Sequence, residues 1–385
     1  MIIVYVYPNF TTIAGTERVL IDKMNYFVER DGFDVVLITL EQGVFSMPFM
    51  LSRKVKHFDL DVCFYKMYHK NIIIRQFEKQ LLMYVFQRRF NNIMNELQPD
   101  IVITTTYDSK VLSVIDNCKV KYKRVVESHI GKAFLHQNDP INKVNILRWF
   151  NAYMGMKKVE YFVKRSDVLV ALNQADACDW SRYVDTKVIT NVVHLNPLGR
   201  YSNQNNNRII FVGRFTKQKG LNDLFRIWKL VNQIHPDWHL DLFGDGEMRS
   251  FVCSEADRLG MNIHINESNN NIFERYINSS ILVLTSVYEP FGLVIPEAMS
   301  CGLPVVSFDC PYGPADIITD GVDGFLVKNR NIEDFAARVC SLIENRNLRI
   351  QMGQAAIMSS SRYRPEMIMP QWESLFEKLN SEKDL

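Results

Sequence analysis

The sequence of 385 residues lacks the features that announce several function classes. Its seven cysteines (Cys63, Cys118, Cys178, Cys253, Cys301, Cys310 and Cys340) include no CxxC pair. Their number is odd, which excludes a complete disulfide framework, and their spacing does not suggest zinc. Reduced thiols in a cytosolic compartment are the expectation. No run of about 18 apolar residues is present, so nothing is expected to span a bilayer. The opening MIIVYVYPNF has neither a basic leader nor a small-residue cleavage site, and reads as a first strand. Charge of one sign is also missing. Lys+Arg total 45 against 43 Asp+Glu, a net +2, so a global basic footprint for nucleic acid is absent. HExxH, GxSxG and the Walker lysine pattern are absent, which removes support for zinc proteases, serine hydrolases and P-loop ATPases.

What is present is an ordinary globular composition, 47% hydrophobic and 23% charged. That mix excludes a disordered chain, a coiled coil and a collagen-like fibre. The length suggests two domains at roughly 150 residues each. Charge is unevenly shared. Residues 1–200 carry 27 Lys+Arg and 20 Asp+Glu, whereas the remainder carries 18 and 23. The excess is concentrated in residues 53–132, with 15 basic and 8 acidic residues. Such a bias fits an acidic partner or an anionic membrane surface, and equally a solvated basic face.

Short apolar runs alternate with helical patterns, which argues for α/β layers with mostly parallel strands. Residues 2–6, 35–39, 101–104, 124–127 and 168–172 read as strands of a first series. A helix starts near Thr16, with Val19, Leu20, Met24, Phe27 and Val28 on one face. Residues 72–97 read as a long, interrupted helical stretch. The polar segment 199–207, GRYSNQNNN, is the linker candidate. A second series follows, with strands at 209–212, 239–243, 281–285 and 305–308. Helices are expected at 221–234, 335–345 and 348–359, and a last one begins at Pro365. The expected domains are 1–198, joined by the C-terminal helix 365–380, and 199–362. Ligands of such sheets bind beyond the carboxyl ends of the strands.

Two motifs of the second half carry chemistry. Glu289-Pro290-Phe291-Gly292-Leu293-Val294-Ile295-Pro296-Glu297 follows a buried strand and leads into a helix. Backbone N–H groups there can cradle a phosphate. Its two carboxylates suit hydroxyls of a ribose or hexose, although two solvated glutamates at a helix start would read the same way. Gly213-Arg214-Phe215-Thr216-Lys217-Gln218-Lys219-Gly220 follows the strand at 209–212. Arg214 and Lys219 there can neutralise a diphosphate, with a basic surface turn as the plainer reading. Gly244-Asp245-Gly246 is weaker alone. In the first half, Gly15 and Thr16 open a helix after the first strand, where close backbone approach and an anion are favoured. His129, in Glu127-Ser128-His129-Ile130-Gly131, stands at another strand end, where a sugar contact or proton transfer competes with a structural role. Asp59-Leu60-Asp61 lacks a supporting acidic cluster, so metal binding is not expected there.

Taken together these segments resemble glycosyltransferase family 4, retaining enzymes that use nucleotide sugars and have the GT-B architecture. The resemblance runs through GRFTKQKG, GDGE, SVYEPFGLVIPEAMSCGLPVV and DGVDGFLV in the family's order, and more loosely through AGTERV and ESHIG. It implies two Rossmann-like domains facing across a cleft, with the last helix crossing back to the first. It implies Arg214 and Lys219 on the donor diphosphate, Glu297 on the ribose and Glu289 on the donor sugar. Phe291, Gly292, Leu293 and Val294 would contact sugar and distal phosphate through their backbone, with Gly213 and Gly244 beside them. Gly15 and Thr16 would approach the phosphates, and His129 the donor sugar.

The resemblance further implies a hexose or N-acetylhexosamine donor, UDP-linked, and a glycan or lipid-linked glycan acceptor in bacterial surface polysaccharide or glycolipid synthesis. No cofactor and no metal are expected. A cytoplasmic enzyme, peripheral on the inner face of the membrane, is the expected location. The loop Asn266-Glu267-Ser268-Asn269 replaces the glycine that many members carry near the base, and Asp309-Cys310-Pro311-Tyr312-Gly313-Pro314 resembles a CPxGP variant of surface-glycan enzymes. An inert sugar-binding subunit and a nucleotide-sugar epimerase of the same architecture are the competing readings. Trp149, Phe150, Tyr153 and Met154 are expected to pack in the core rather than dip into lipid.

Overall fold

A computed structural model describes residues 1–11, 14–67, 69–132, 146–267 and 271–382, and all side chains among these except 72 and 146–152. The chain divides into two compact units, Met1–Ile189 with Met369–Leu385, and Thr190–Ile368.

The first unit runs β1 (Ile2–Tyr7), α1 (Gly15–Val28), β2 (Asp34–Thr39), β3 (Lys56–Asp59), α2 (Ile72–Leu97), β4 (Ile101–Thr105), α3 (Ser109–Asp116), β5 (Lys123–Ser128), α4 (Ile146–Val163), β6 (Val168–Ala171), α5 (Gln174–Trp180) and β7 (Thr186–Val188). Its seven strands pair in parallel in the order β3-β2-β1-β4-β5-β6-β7. β1 and β6 are continuous apolar runs, as strands covered by helices on both faces tend to be. β1, β2 and β4 bury nearly every side chain.

The second unit runs β8 (Arg208–Val212), α6 (Leu221–Ile234), β9 (His239–Phe243), α7 (Arg249–Leu259), β10 (Ile263–Asn266), α8 (Ile272–Ile277), β11 (Ile281–Leu284), α9 (Val294–Ser300), β12 (Val305–Phe308), α10 (Pro314–Ile317), β13 (Gly324–Val327), α11 (Ile332–Glu344) and α12 (Arg346–Ser360). Six parallel strands lie in the order β10-β9-β8-β11-β12-β13. α6 buries Leu221, Leu224, Phe225, Trp228 and Val231 at helical spacing against this sheet. Each such side chain contributes about 1.5–3 kcal/mol on burial. Asn331 and Asn345 cap α11 and α12 by accepting from the N–H of Asp334 and Leu348, both at 3.0 Å.

The final helix, α13 (Pro365–Ser381), belongs from Met369 onward to the first unit, as the GT-B expectation requires. Phe376 packs on Phe27 of α1 with ring centroids 5.1 Å apart, and Trp372 is 2% exposed.

Three readings change. The segment 199–207 is part of the second unit, not a loose connection. Gln204 is buried, its Nε2 donates to Gly302 O at 2.6 Å, and Arg349 Nη2 donates to Gln204 O at 3.0 Å. Amide side chains there satisfy backbone groups, which polarity alone does not reveal. The units therefore part at 189/190 rather than at 198/199. α2 is one uninterrupted helix, with no Gly or Pro inside it to break it. Tyr153 and Met154 are exposed rather than core residues, and the side chains of 149 and 150 lie outside the described residues.

Both sheets reverse direction of strand addition beside their first strand. β1 lies between β2 and β4, and β8 between β9 and β11. The carboxyl ends of those strands are the topological switch points at which open α/β sheets bind ligands.

Candidate functional site

In the second unit, three loops converge at the switch point. The Gly213–Gly220 turn leaves β8, the Gly244–Gly246 turn leaves β9, and the Ser286–Leu293 loop follows β11. Backbone contacts join them. Phe215 N–H donates to Asp245 O at 2.8 Å, and Val287 N–H to Gln218 O at 2.7 Å. Thr285 Oγ1 donates to Lys219 O at 2.9 Å. Glycine is required where these loops touch. A Cβ at Gly244 would stand 2.0 Å from Gly213 O, and one at Gly220 would stand 2.0 Å from Thr285 O.

This packing places the predicted side chains. Lys219 Nζ lies 2.5 Å from Glu289 Oε2, and Ser286 Oγ donates to the same oxygen at 3.1 Å. Both ion-pair partners are largely buried. Arg214 is exposed and has no ion pair among the described residues. It lies near Tyr288, whose hydroxyl is raised by burial and by the Glu289 carboxylate, and lowered by the Arg214 cation. Glu297, in the first turn of α9, is buried and accepts from Tyr276 OH at 3.4 Å. Gly292 turns the chain at φ +90°. Phe291 is buried against Tyr363, with ring centroids 5.3 Å apart. Leu293 precedes Val294, the first residue of α9.

The segment 309–314 braces this loop from behind. Glu289 and Tyr312 form a parallel bridge, and Gly313 N–H donates to Glu289 O at 2.7 Å. Tyr312 is held at φ +77°, a conformation that costs a bulky residue about 1–3 kcal/mol. A Cβ at Gly313 would stand 2.3 Å from Phe291 O. Arg330, which sequence reasoning missed, supports the end of β11. It donates to Ser286 O at 2.8 Å and to Thr285 O at 3.1 Å, pairs with Asp223, and lies 4.5 Å over the Phe308 ring.

In the first unit, Gly15 begins α1, the element that follows β1, and Thr16 Oγ1 lies 2.9 Å from Tyr107 OH. Tyr7 OH, at the end of β1, donates to Glu17 Oε1 at 3.1 Å. His129 follows β5. Its Nε2 lies 2.9 Å from Glu127 Oε2, an oxygen that also pairs with Lys23. Burial alone would raise the Glu127 carboxyl, but Lys23 and His129 hold it down at about 2. Lys23 lies 4.2 Å over the Trp372 ring. Neither Lys23 nor Glu127 was singled out from the sequence. Nearby, Asp176 accepts from Lys132 N–H at 2.7 Å, and burial pushes its carboxyl up to about 6. Asp59 serves its own loop, accepting from Gln42 N–H and Gly43 N–H at 3.1 and 2.8 Å. Residues 268 and 269 of the expected base loop lie outside the described residues.

Chemically, the second unit offers a cation pair and loop amides for an anion, with buried carboxylates for hydroxyls. Residues 200–358 match the family model described as Glycosyl transferases group 1. An uncharacterized glycosyltransferase of Haemophilus influenzae is 25% identical over 95% of this chain and 97% of its own length. The amylovoran biosynthesis glycosyltransferase AmsD of Erwinia amylovora is 35% identical over 47% of this chain and 52% of its own. Among solved structures, a TarM mutant of S. aureus in complex with fondaparinux, α-GlcNAc-glycerol and UDP is similar at a TM-score of 0.79. It has 14% identity and covers 97% of this chain and 99% of that one. No helix among the described residues is long and apolar enough to cross a membrane. The chain thus has the two-sheet GT-B fold of these solved structures, and its residues 200–358 match the model of Glycosyl transferases group 1.

Proposed function

We propose that this protein is a retaining glycosyltransferase of family 4. It moves a hexose or N-acetylhexosamine from a nucleotide sugar, UDP-linked, to a glycan or lipid-linked glycan of the bacterial surface. The observation that carries the reading is the Lys219–Glu289 pair, largely buried at the switch point beside the exposed Arg214.

The geometry supports a division of labour. Departure of a nucleoside diphosphate develops negative charge, which Arg214, Lys219 and the loop amides are suited to stabilise. A bound donor diphosphate competes with Glu289 for the Lys219 ammonium, and the carboxylate becomes available to a sugar hydroxyl. Glu289 orients the sugar rather than attacking it. Glu297, beside Tyr276, takes the ribose hydroxyls. In a front-face reaction the acceptor hydroxyl attacks from the side the diphosphate leaves, and a leaving-group oxygen takes its proton. No dedicated base is then required. The relatives named for amylovoran biosynthesis and for poly(ribitol-phosphate) N-acetylglucosaminylation support a surface-polymer acceptor.

Membrane contact has its own support on α2. Ile73, Phe77, Leu81 and Tyr84 form an exposed apolar stripe at helical spacing. Arg88, exposed one turn beyond Tyr84, adds a cation to the same face. An apolar stripe ending in a cation suits an anionic leaflet. Flotation with vesicles of anionic and neutral lipid tests it. Binding to the anionic vesicles alone, weakened by Phe77→Ser, is expected; no binding at low salt removes the membrane from the account.

Titration calorimetry tests the donor reading. UDP is expected to bind, and Arg214→Ala to weaken it. Absence of binding by UDP, GDP and ADP alike would favour the inert-subunit reading.

A further inference from the structure

Thr285 and Ser286 follow the last paired residue of β11 and are buried, so their carbonyls need donors from outside the strand ladder. Arg330 supplies them. Its Nη1 donates to Ser286 O at 2.8 Å and its Nη2 to Thr285 O at 3.1 Å. Nη2 also pairs with Asp223, in the first turn of α6. The guanidinium lies 4.5 Å over the Phe308 ring of β12. Arg330 reaches this place from the turn Lys328–Arg330, in which Asn329 and Arg330 take φ of +54° and +50°. Residues other than glycine are disfavoured in that left-handed region, so the surrounding contacts impose the conformation.

The two residues that Arg330 holds are the two that hold the candidate site. Thr285 Oγ1 donates to Lys219 O at 2.9 Å, and Ser286 Oγ donates to Glu289 Oε2 at 3.1 Å. On the other side, Asp223 N–H donates to Gly220 O at 3.0 Å, next to Lys219. One guanidinium thus fastens both sides of the Lys219–Glu289 pair, with no hydrogen bond to either among the described residues. A lysine would match its charge but not its geometry. The planar fork serves two carbonyls and a carboxylate at once, whereas an ammonium is a compact point charge.

We propose that Arg330 is a positioning residue for the transfer reaction. Through Thr285 and Ser286 it fixes Lys219 and Glu289 in the geometry that meets the leaving diphosphate and the donor sugar. The inference rests on the reading of Lys219 and Glu289 as donor contacts. A merely structural Arg330 would stabilise the second unit without changing turnover by the folded enzyme.

The test is hydrolysis of UDP-glucose, UDP-galactose, UDP-GlcNAc and UDP-GalNAc, expressed per folded molecule, with the folded fraction read by circular dichroism. Arg330→Lys is expected to lower kcat by about tenfold or more and to leave KM within about twofold. Arg338→Lys is the control, because Arg338 of α11 lies 5.0 Å over the Phe325 ring, away from the loop. It is expected to keep kcat; an equal loss there would mean that general loosening suffices, and overturns the proposal. Thr285→Val with Ser286→Ala removes both hydroxyl links and leaves the guanidinium in place. It is expected to lower kcat to a similar degree, and adding Arg330→Lys is expected to cost less than about threefold more. A wild-type kcat in Arg330→Lys, or losses that multiply in full, overturns the positioning role. Should Arg330→Lys not fold, the hydroxyl variant decides, and a wild-type kcat in it overturns the role. If the wild type hydrolyses no UDP-sugar, or Lys219→Ala keeps full turnover, the donor reading itself fails. If Lys219→Ala is inactive while Arg330→Lys and the hydroxyl variant keep kcat, only the positioning role fails.

Discussion

Lys219 and Glu289, 70 residues apart in sequence, meet in a 2.5 Å ion pair that is largely shielded from water. Breaking one side of such a pair leaves the other charge without compensation, at a cost of about 3–5 kcal/mol. Lys219→Met is therefore expected to lower unfolding stability by about that amount. Adding Glu289→Gln is expected to recover most of it, because both charges are then gone. Activity should stay lost in both variants, by about 10²–10³-fold in kcat if Lys219 stabilises the leaving group. Denaturant unfolding and donor turnover on the same samples check this. Recovery of stability and activity together would mean the pair is only structural.

Gly244→Ala should be costly despite the small added group. The new Cβ would lie 2.0 Å from Gly213 O, so one of two loops must move. One of the two, the loop that starts at Gly213, carries Arg214. A loss of about 1–3 kcal/mol in stability is expected, together with weaker UDP binding. Calorimetry that finds wild-type affinity would show that the Gly213–Gly244 contact does not hold the donor loop.

Two acids of the first unit should give opposite slopes in stability against pH. Asp176 is raised from 3.8 to about 6. Between those values the folded state holds a proton that the unfolded state has released, so its contribution falls as pH rises. Glu127 is lowered from 4.5 to about 2. Its contribution is fully present above 4.5 and is lost as pH falls toward 2. Asp176→Asn should flatten the decline between about pH 4 and 6 and leave the acid limb intact. Urea midpoints across that range decide; an unchanged slope would place the Asp176 shift elsewhere.

Trp372→Ala removes a ring that is 2% exposed, packed on Phe376 and lying over Lys23. A loss of about 3–5 kcal/mol is expected from the cavity. Hydrogen exchange should quicken in α1 and β5, leaving α6 and β11 near their original protection. Uniform acceleration across both sheets would contradict the assignment of α13 to the first unit.

Much of this fold was legible because most of its central strands are built on short apolar runs. β9 at His239–Phe243 and β12 at Val305–Phe308 fall where the runs place them. α6 at Leu221–Ile234 also follows its period. The edge strands were not seen. β3 is Lys56-His57-Phe58-Asp59, largely exposed, and β7 has only three residues. Neither has an apolar pattern to read, because each is stabilised by pairing with a neighbour distant in sequence. The same divide runs through the site. Arg214, Lys219, Glu289 and Glu297 lie in segments next to buried strands. Lys23, by contrast, is 104 residues from its partner Glu127 and looks like any polar position on α1. Arg330 is likewise defined by carbonyls of residues 285 and 286, which only the folded chain brings to it.

The most direct test of the central claim is nucleotide-sugar hydrolysis by the purified protein. The panel holds UDP-glucose, UDP-galactose, UDP-GlcNAc, UDP-GalNAc and GDP-mannose, each with and without chelator, with Lys219→Ala as control. The account predicts slow release of nucleotide from one UDP-sugar, resistant to chelator and absent in Lys219→Ala. Silence across the panel, or turnover that Lys219→Ala leaves unchanged, would contradict it.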